Sequence, residues 1–421
     1  MIGNNVITVT EHQCLRVGNN IDGVEFDIHK LDALVKHYGR DGIPYYNLIH
    51  NGVRFNSFVG AIQVGNLLIQ VLPKADLAGR DEMTNAEWRD MLISMILAVK
   101  LFDIENPGRS SLRIIPNSIL DLYFSIFLRK VRFLLHTGLV KQYRRSLGNV
   151  SALKGSINFA GHIRENLTHQ ERFFVTHTKY DHEHRLHMIL YKTLLLLKQI
   201  NNKSDLHSEI GALLIDFPEM PDIKISEATF SKISFNRKTR AYKDVITIAR
   251  MLLLRYHPDI KRGRNHVLAL MFDMNLLWEK FIYATLKRYL GSEFDVRDQR
   301  SKKFWKPDAG KTEQIRPDII VTYNGKRFIL DSKWKNLNGK NPTVEDLRQL
   351  YVYGEYFKAE NCALIYPGPR SIVSGSYYKT DENSFADKKC SVISIPVMRV
   401  MKEWQESISG GIRKWIAENG V

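Results

Sequence analysis

Hydrophobic and polar positions along this chain change period twice, and the changes divide it into three regions. Near the start, VITVTEH (residues 6–12) alternates as a strand does. GAIQVGNLLIQVLPK (60–74) forms a hairpin candidate about Gly65-Asn66. Between them, LDALVKHYG has the spacing of a short helix that stops at Gly39. Residues 1–80 are therefore expected to form a β-rich domain. From about residue 85 the spacing becomes helical. EWRDMLISMILAVKLF is a strongly apolar amphipathic stretch. IPNSILDLYFSIFLRKVRFLLHTG has a cap-like Ser118 and Asp121 at its start and a stop at Gly138. Residues 81–265 are expected to be mainly helical. Beyond them MNLLWEKFIYATLKRYLG predicts a helix ending near Gly291. FDVRDQ, DIIVTY and RFILDSKW predict three strands. TVEDLRQLYVYGEYF predicts a helix with Thr343 as N-cap, Asp346 at the capping-box position and Pro342 just before. CALIYPG and SVISIPV predict two further strands, and the chain ends in a helical tail. Residues 266–421 thus read as a mixed sheet flanked by helices, and the whole chain as an α+β multidomain protein.

Charge narrows the choice of partners. The chain of 421 residues carries 61 Lys+Arg against 45 Asp+Glu, a net +16 with a pI near 9.5. That favours an anionic partner, of which nucleic acid is the commonest, over a merely solvated basic surface. With 44% hydrophobic residues it can bury substantial cores. Cys14, Cys362 and Cys390 stand alone, without metal-site or disulfide spacing, which fits a reducing cytoplasm. The first residues lack the basic and apolar regions of a signal peptide, and no uncharged apolar run is long enough for a membrane span.

Three stretches carry residues that bear chemistry but stay open. DGIPYYNLIHNGVRF holds Tyr45, Tyr46, His50 and Arg54, which either grip a partner or pack locally. Residues 139–174 interleave Lys141, Arg144, Arg145, Lys154, Arg164 and Arg172 with Tyr143, Phe159, Phe173 and Phe174, suiting phosphate contacts or a solvated helix face equally. Asp181, His182, Glu183, His184 and His187 crowd together, but HEHRLH is not HExxH. A polar helix start accounts for them better than a metal.

The sharpest chemistry lies in RPDIIVTYNGKRFILDSKW (316–334). Asn324-Gly325 both tolerate positive φ, so they predict a two-residue type I′ turn. Folding about that turn sets Asp318 opposite Asp331, with Lys333 on the same face two residues later. Opposed carboxylates repel unless a cation joins them, so the structural alternative of a surface Asp–Lys pair is the weaker one. Two aspartates suit a hard cation such as Mg²⁺ or Mn²⁺, and the Ser332 carbonyl could add a ligand. Such a metal activates water, and Lys333 can orient that water or offset charge developing on a phosphate. Pro-Asp recurs at 221, 258 and 307, but only Pro317-Asp318 is followed by a strand, a tight turn and a second strand. Glu279 lies on a largely apolar helix face, as a third metal ligand or the partner of a nearby Lys or Arg. Gln349 and Tyr353 share a helix face and either bond the phosphate and catalytic groups or cap the sheet. Gly310-Lys311-Thr312 is not a P-loop, because Trp305 stands where its first glycine belongs, so no nucleotide is expected on this chain.

The hairpin and its flanking helices resemble the PD-(D/E)xK nuclease superfamily, and Gln349-to-Tyr353 is similar to the QxxxY helix of its RecB-like branch. IQVLPKA, GLVKQYRR, LKGSINFAGHIRENLTHQERFF, FDMNLLWEKFI, RPDIIV and LDSKWK together resemble the McrC family, the nuclease subunit of the McrBC modification-dependent restriction system. That resemblance implies a Mg²⁺-dependent endonuclease that cuts double-stranded DNA, with Asp318, Asp331 and Lys333 carrying the cleavage. It implies a partner, McrB, an AAA+ GTPase hexamer that recognises methylated cytosine and translocates DNA. It also implies that the N-terminal part enters the ring and stimulates its GTPase, for which the loop at Tyr45 and Tyr46 is the candidate. Ser332 departs from the small residues common there, with its side chain expected to face away from the metal. HEHRLHMILYK departs from the family's wording. The alternative functions are a non-catalytic adaptor binding DNA or an AAA+ ring through the same fold, and a stand-alone nuclease. A cytoplasmic protein without membrane contact is expected.

Overall fold

The computed structural model describes residues 5–38, 45–74, 83–99, 118–169, 171–201, 203–257, 267–337, 339–379 and 383–419. The chain divides into two compact units, one of residues 1–106 with 271–421 and one of residues 107–270.

The first unit is assembled from both ends of the chain. Val6–Thr10 runs parallel to Leu67–Leu72, which pairs antiparallel with Phe58–Val64. Val64 faces Leu67 across the expected turn, where Gly65 takes φ +58°. The short helix is Ile28–His37, capped by Asp27, which accepts from the Lys30 N–H. Its expected stop at Gly39 lies outside the described residues. Of the expected loop at 41–55, residues 41–44 lie outside the described residues and the rest is instead a hairpin, Tyr46–Ile49 with Gly52–Phe55. Its Tyr45 and Tyr46 are buried, Tyr45 edge-on to Phe58 and Tyr46 donating to the Leu34 carbonyl. These rings complete a local core and offer no exposed grip.

The six-stranded sheet of this unit runs in the order Asp295–Asp298, Ile319–Tyr323, Lys326–Ser332, Asn361–Pro367, Phe385–Ile395, Ser371–Tyr378. The first three strands are antiparallel; Lys326–Ser332, Asn361–Pro367 and Phe385–Ile395 are parallel; the last strand turns back antiparallel. Helix Val344–Phe357 links the first parallel pair. Thr343 caps it by accepting from the Asp346 N–H. Alternation sends Phe328 and Ile329 to opposite faces. Ile329 joins Leu350, Tyr353 and Phe357 in one core, while Phe328 meets Trp415 of helix Met401–Asn419. On that second face Trp278, Phe281 and Trp404 stack together. The strand Ser371–Tyr378 and the ribbon Lys302–Trp305 with Glu313–Ile315 were not anticipated. Both are largely exposed, so neither shows the apolar face by which a strand is recognised.

The second unit is not simply helical. Helices Ile119–Thr137, Arg185–Ile200, Ser204–Asp216 and Lys243–Leu254 are joined by an antiparallel sheet in the order Ser156–Ile157, Phe173–Asp181, Gln142–Val150. The basic, aromatic stretch is divided: Lys141 precedes and Tyr143, Arg144 and Arg145 lie on a strand, Phe159 and Arg164 lie on the exposed face of helix Phe159–Asn166, and Phe173 and Phe174 begin the next strand. Tyr143, Leu147 and Tyr180 point outward and are exposed, so the alternation marks no buried side. Arg144 is neutralised by Asp181 and Glu183. The crowded histidines stand at the start of helix Arg185–Ile200, as the polar-start reading has it. Among the described residues no helix is long and apolar enough to cross a membrane.

Candidate active site

The site is built from the turn outward. Asn324 and Gly325 take φ +48° and +77°, as a type I′ turn requires. Pairing runs unbroken from Tyr323 opposite Lys326 to Ile319 opposite Leu330. One step further, Asp318 flanks its strand while Asp331 lies within the partner strand. Asp331 has the parity of Ile329, so it faces the Val344–Phe357 helix, and so does Lys333.

Asp331 is 1% exposed. Lys333 Nζ stands 2.8 Å from its Oδ2 as an ion pair. Beyond Lys333, neither Asp331 oxygen has a hydrogen-bond partner among the described residues. Asp318 differs: its Oδ2 accepts from the Ser332 N–H at 2.8 Å and the Ser332 hydroxyl at 3.1 Å. The Ser332 side chain thus bonds Asp318 and holds it in place. Lys333 also donates to Gln349 Oε1 at 3.1 Å. Gln349 Nε2 donates to the Tyr353 hydroxyl at 2.8 Å, which donates to the Arg316 carbonyl at 3.0 Å. Gln349 and Tyr353 therefore bond the Lys333 ammonium and the connecting segment that leads to Asp318. Glu279 accepts from Gln299 Nε2 at 2.9 Å, and the Gln299 N–H donates to the Asp318 carbonyl at 3.1 Å.

Electrostatics follow from burial. Burial, and then the neighbouring Asp318, push Asp331 up to about 7 against the pull of Lys333. Burial also raises Asp318, and burial with the Asp318 charge raises Glu279. Burial works against the Lys333 charge, but Asp331, Asp318 and Asp346 outweigh it and raise its pKa. Around the single Lys333 ammonium the site gathers Asp318, Asp331 and Asp346, so it holds more acid than base. Among the described residues no three His, Cys, Asp or Glu side chains form a ready cage for a metal. The carboxylate oxygens of Asp331, partnered by Lys333 at Oδ2, and those of the anchored Asp318 nevertheless fit a hard cation in donor type and charge.

The sequence reading missed two groups here. Gln299, in a left-handed conformation at φ +47°, joins Glu279 to Asp318. Asp346 is 7% exposed and binds Lys335, Thr343 and the Tyr366 hydroxyl. Burial opposes its charge, but Lys335 and Thr343 hold its pKa down. Among the other Pro-Asp pairs, Asp222 is exposed and bound to Lys192, Asp308 is exposed, and Asp259 lies outside the described residues.

The sequence profile of the McrBC 5-methylcytosine restriction system component family matches residues 53–367. The chain belongs to this family. The matched span includes the hairpin, Glu279, Gln349 and Tyr353. The type IV methyl-directed restriction enzyme EcoKMcrBC of Escherichia coli (strain K12) is 25% identical to this McrBC-family chain over 296 residues, covering 64% of this chain and 83% of that protein. The fold is similar to a refined half-complex from a tetradecameric assembly of Thermococcus gammatolerans McrB AAA+ hexamers with bound McrC. There the TM-score is 0.68 at 18% identity, over 98% of this chain and 100% of the other. A cryo-EM structure of the Thermococcus gammatolerans McrBC complex gives a TM-score of 0.50 at 19% identity, over 68% of this chain and 88% of the other.

Proposed function

We propose that this McrBC-family chain is the Mg²⁺-dependent DNA endonuclease subunit of a modification-dependent restriction complex, working with an AAA+ GTPase of the McrB kind. The observation that carries this reading is Asp331: buried beside Asp318, with Lys333 at its Oδ2 as its one partner among the described residues. Two buried acids against one lysine are costly unless a further cation shares them. The strand order supports a PD-(D/E)xK core, because an antiparallel hairpin feeds a helix and then a parallel strand. Asp318 and Asp331 would hold the metal, with Glu279 and the Ser332 carbonyl as further oxygens. Bound Mg²⁺ or Mn²⁺ supplies Lewis acidity and a more acidic water. Lys333, kept in place by Asp331 and Gln349, offsets negative charge gathering on the phosphate. Family membership and the McrB hexamers of the Thermococcus assembly support the AAA+ partner and methylated double-stranded DNA as the target.

The test is plasmid cleavage with the partner, GTP and Mg²⁺, beside the partner's GTPase rate. Asp331→Ala and Lys333→Ala should each lower cleavage about a hundredfold or more and leave GTPase stimulation at the wild-type level. Retained cleavage, or loss of both activities in a well-folded variant, would contradict the assignment.

A further inference from the structure

Behind the site, the first strand of the chain reaches the segment that carries Lys333. Glu11 follows strand Val6–Thr10, and its N–H donates to the Leu72 carbonyl at 2.9 Å. Its side chain is 3% exposed. A single oxygen, Oε1, accepts two bonds: from the Lys74 N–H at 2.7 Å and from the Trp334 indole N–H at 2.8 Å. Trp334 is the residue after Lys333. Its backbone N–H donates to Asn275 Oδ1 at 3.2 Å, in the first turn of the helix that carries Glu279. Its ring packs edge-on against Trp278, the neighbour of Glu279, with centroids 5.3 Å apart. The Met274 N–H at the start of that helix donates to the Ser57 carbonyl at 3.0 Å. The N-terminal segments therefore bond to two of the segments that bear candidate site residues, the one that carries Lys333 and the helix that carries Glu279.

A general packing role would need only apolar contact at this position. Burial instead raises the Glu11 pKa, so the carboxylate is kept at a cost. What it provides is an acceptor for the only polar side-chain atom of Trp334. We propose that Glu11 is a positioning residue for the hydrolytic site: through Trp334 it fixes the backbone from which Lys333 reaches Asp331 and Gln349. The role of that site rests on the nuclease reading above. The hold on the segment stands on geometry alone.

Because both bonds end on one oxygen, Glu11→Gln keeps them and Glu11→Leu removes them. Trp334→Phe removes the donor and keeps a ring in the aromatic cluster. In the full chain, backbone deuterium uptake over residues 331–337 should rise in Glu11→Leu and in Trp334→Phe, with the rest of the unit at wild-type levels except at Lys74 in Glu11→Leu, whose N–H loses its acceptor there. Glu11→Gln should match wild type. In the complete cleavage assay the same two variants should lower kcat about tenfold with KM for DNA unchanged, and combining them should cost no more than either alone. Unchanged uptake over 331–337 in Glu11→Leu overturns the proposal. So does uptake rising across the whole unit, or a Glu11→Gln variant as impaired as Glu11→Leu. If uptake responds as expected but the wild-type complex cuts no DNA, the positioning holds and the nuclease reading fails.

Discussion

His187 and Asp331 are both buried titratable side chains, and their surroundings treat them in opposite ways. His187 is fully satisfied. The His182 carbonyl, 2.7 Å from Nδ1, can only accept, so Nδ1 carries the proton and Nε2 accepts from the Tyr242 hydroxyl at 3.0 Å. Burial, and then His184, lower its pKa from the ordinary 6.5 to about 3. The unfolded chain therefore binds a proton that the folded chain refuses between those values. Stability from this residue is full above pH 6.5 and falls as the pH drops toward 3. Thermal or urea unfolding at pH 5 should show about 2 kcal/mol less stability from this residue than at pH 7.5. His187→Gln, which cannot titrate, should lose that part of the slope, and an unchanged slope would contradict this account. Asp331, by contrast, has acid neighbours and only the Lys333 ammonium as partner among the described residues, so its surroundings leave it short of positive charge. At this scale the sequence was informative where a local turn fixed the geometry, as for Asp318, Asp331 and Lys333. Gln299 was missed because its partner Glu279 is distant in sequence, and Asp346 was read only as a helix-capping residue because its bond from Tyr366 comes from another strand. Tyr45 and Tyr46 were left open because exposure depends on what Phe58 and Leu34 bring from elsewhere.

Among the elements, the hairpin 319–332 has the most to lose from a single change. Its register depends on two residues of positive φ, and a slip of one position would send Asp331 to the opposite face. A Cβ added at Gly325 meets nothing within 4 Å, so the cost of Gly325→Ala is purely that of the left-handed backbone at φ +77°. It should be about 1 kcal/mol. Urea unfolding should show that loss, while cleavage by the folded fraction stays at the wild-type level. A drop in cleavage without a drop in stability would mean the register had slipped. The sheet at 142–181 taught the reverse lesson. Its strands are held by backbone ladders and the ion pairs of Arg144, with exposed Tyr143 and Leu147, so its hydrophobic pattern carried little information. The hairpins at 58–72 and 319–332 were legible because each pairs a strong turn with a buried face.

For the molecule as a whole, net charge sets the expectation. A chain with +16 that binds duplex DNA should release counter-ions on binding. Its affinity for duplex DNA should then fall about a thousandfold between about 50 and about 200 mM salt if six or more phosphates are contacted. Gel-shift or anisotropy titrations would check this, and a flat response would place the basic residues outside any DNA interface. The sequence by itself determined the charge, the helix and strand periods of the strongly patterned segments, the turn at Asn324-Gly325 and hence the facing aspartates. These depend on local sterics and on residues close in the chain. The tertiary structure decided that residues 1–106 join residues 271–421, that Gln349 reaches Lys333, and that Glu11 meets Trp334. Those are contacts between segments with no local coupling, chosen only when buried surfaces and buried polar atoms must all be satisfied together.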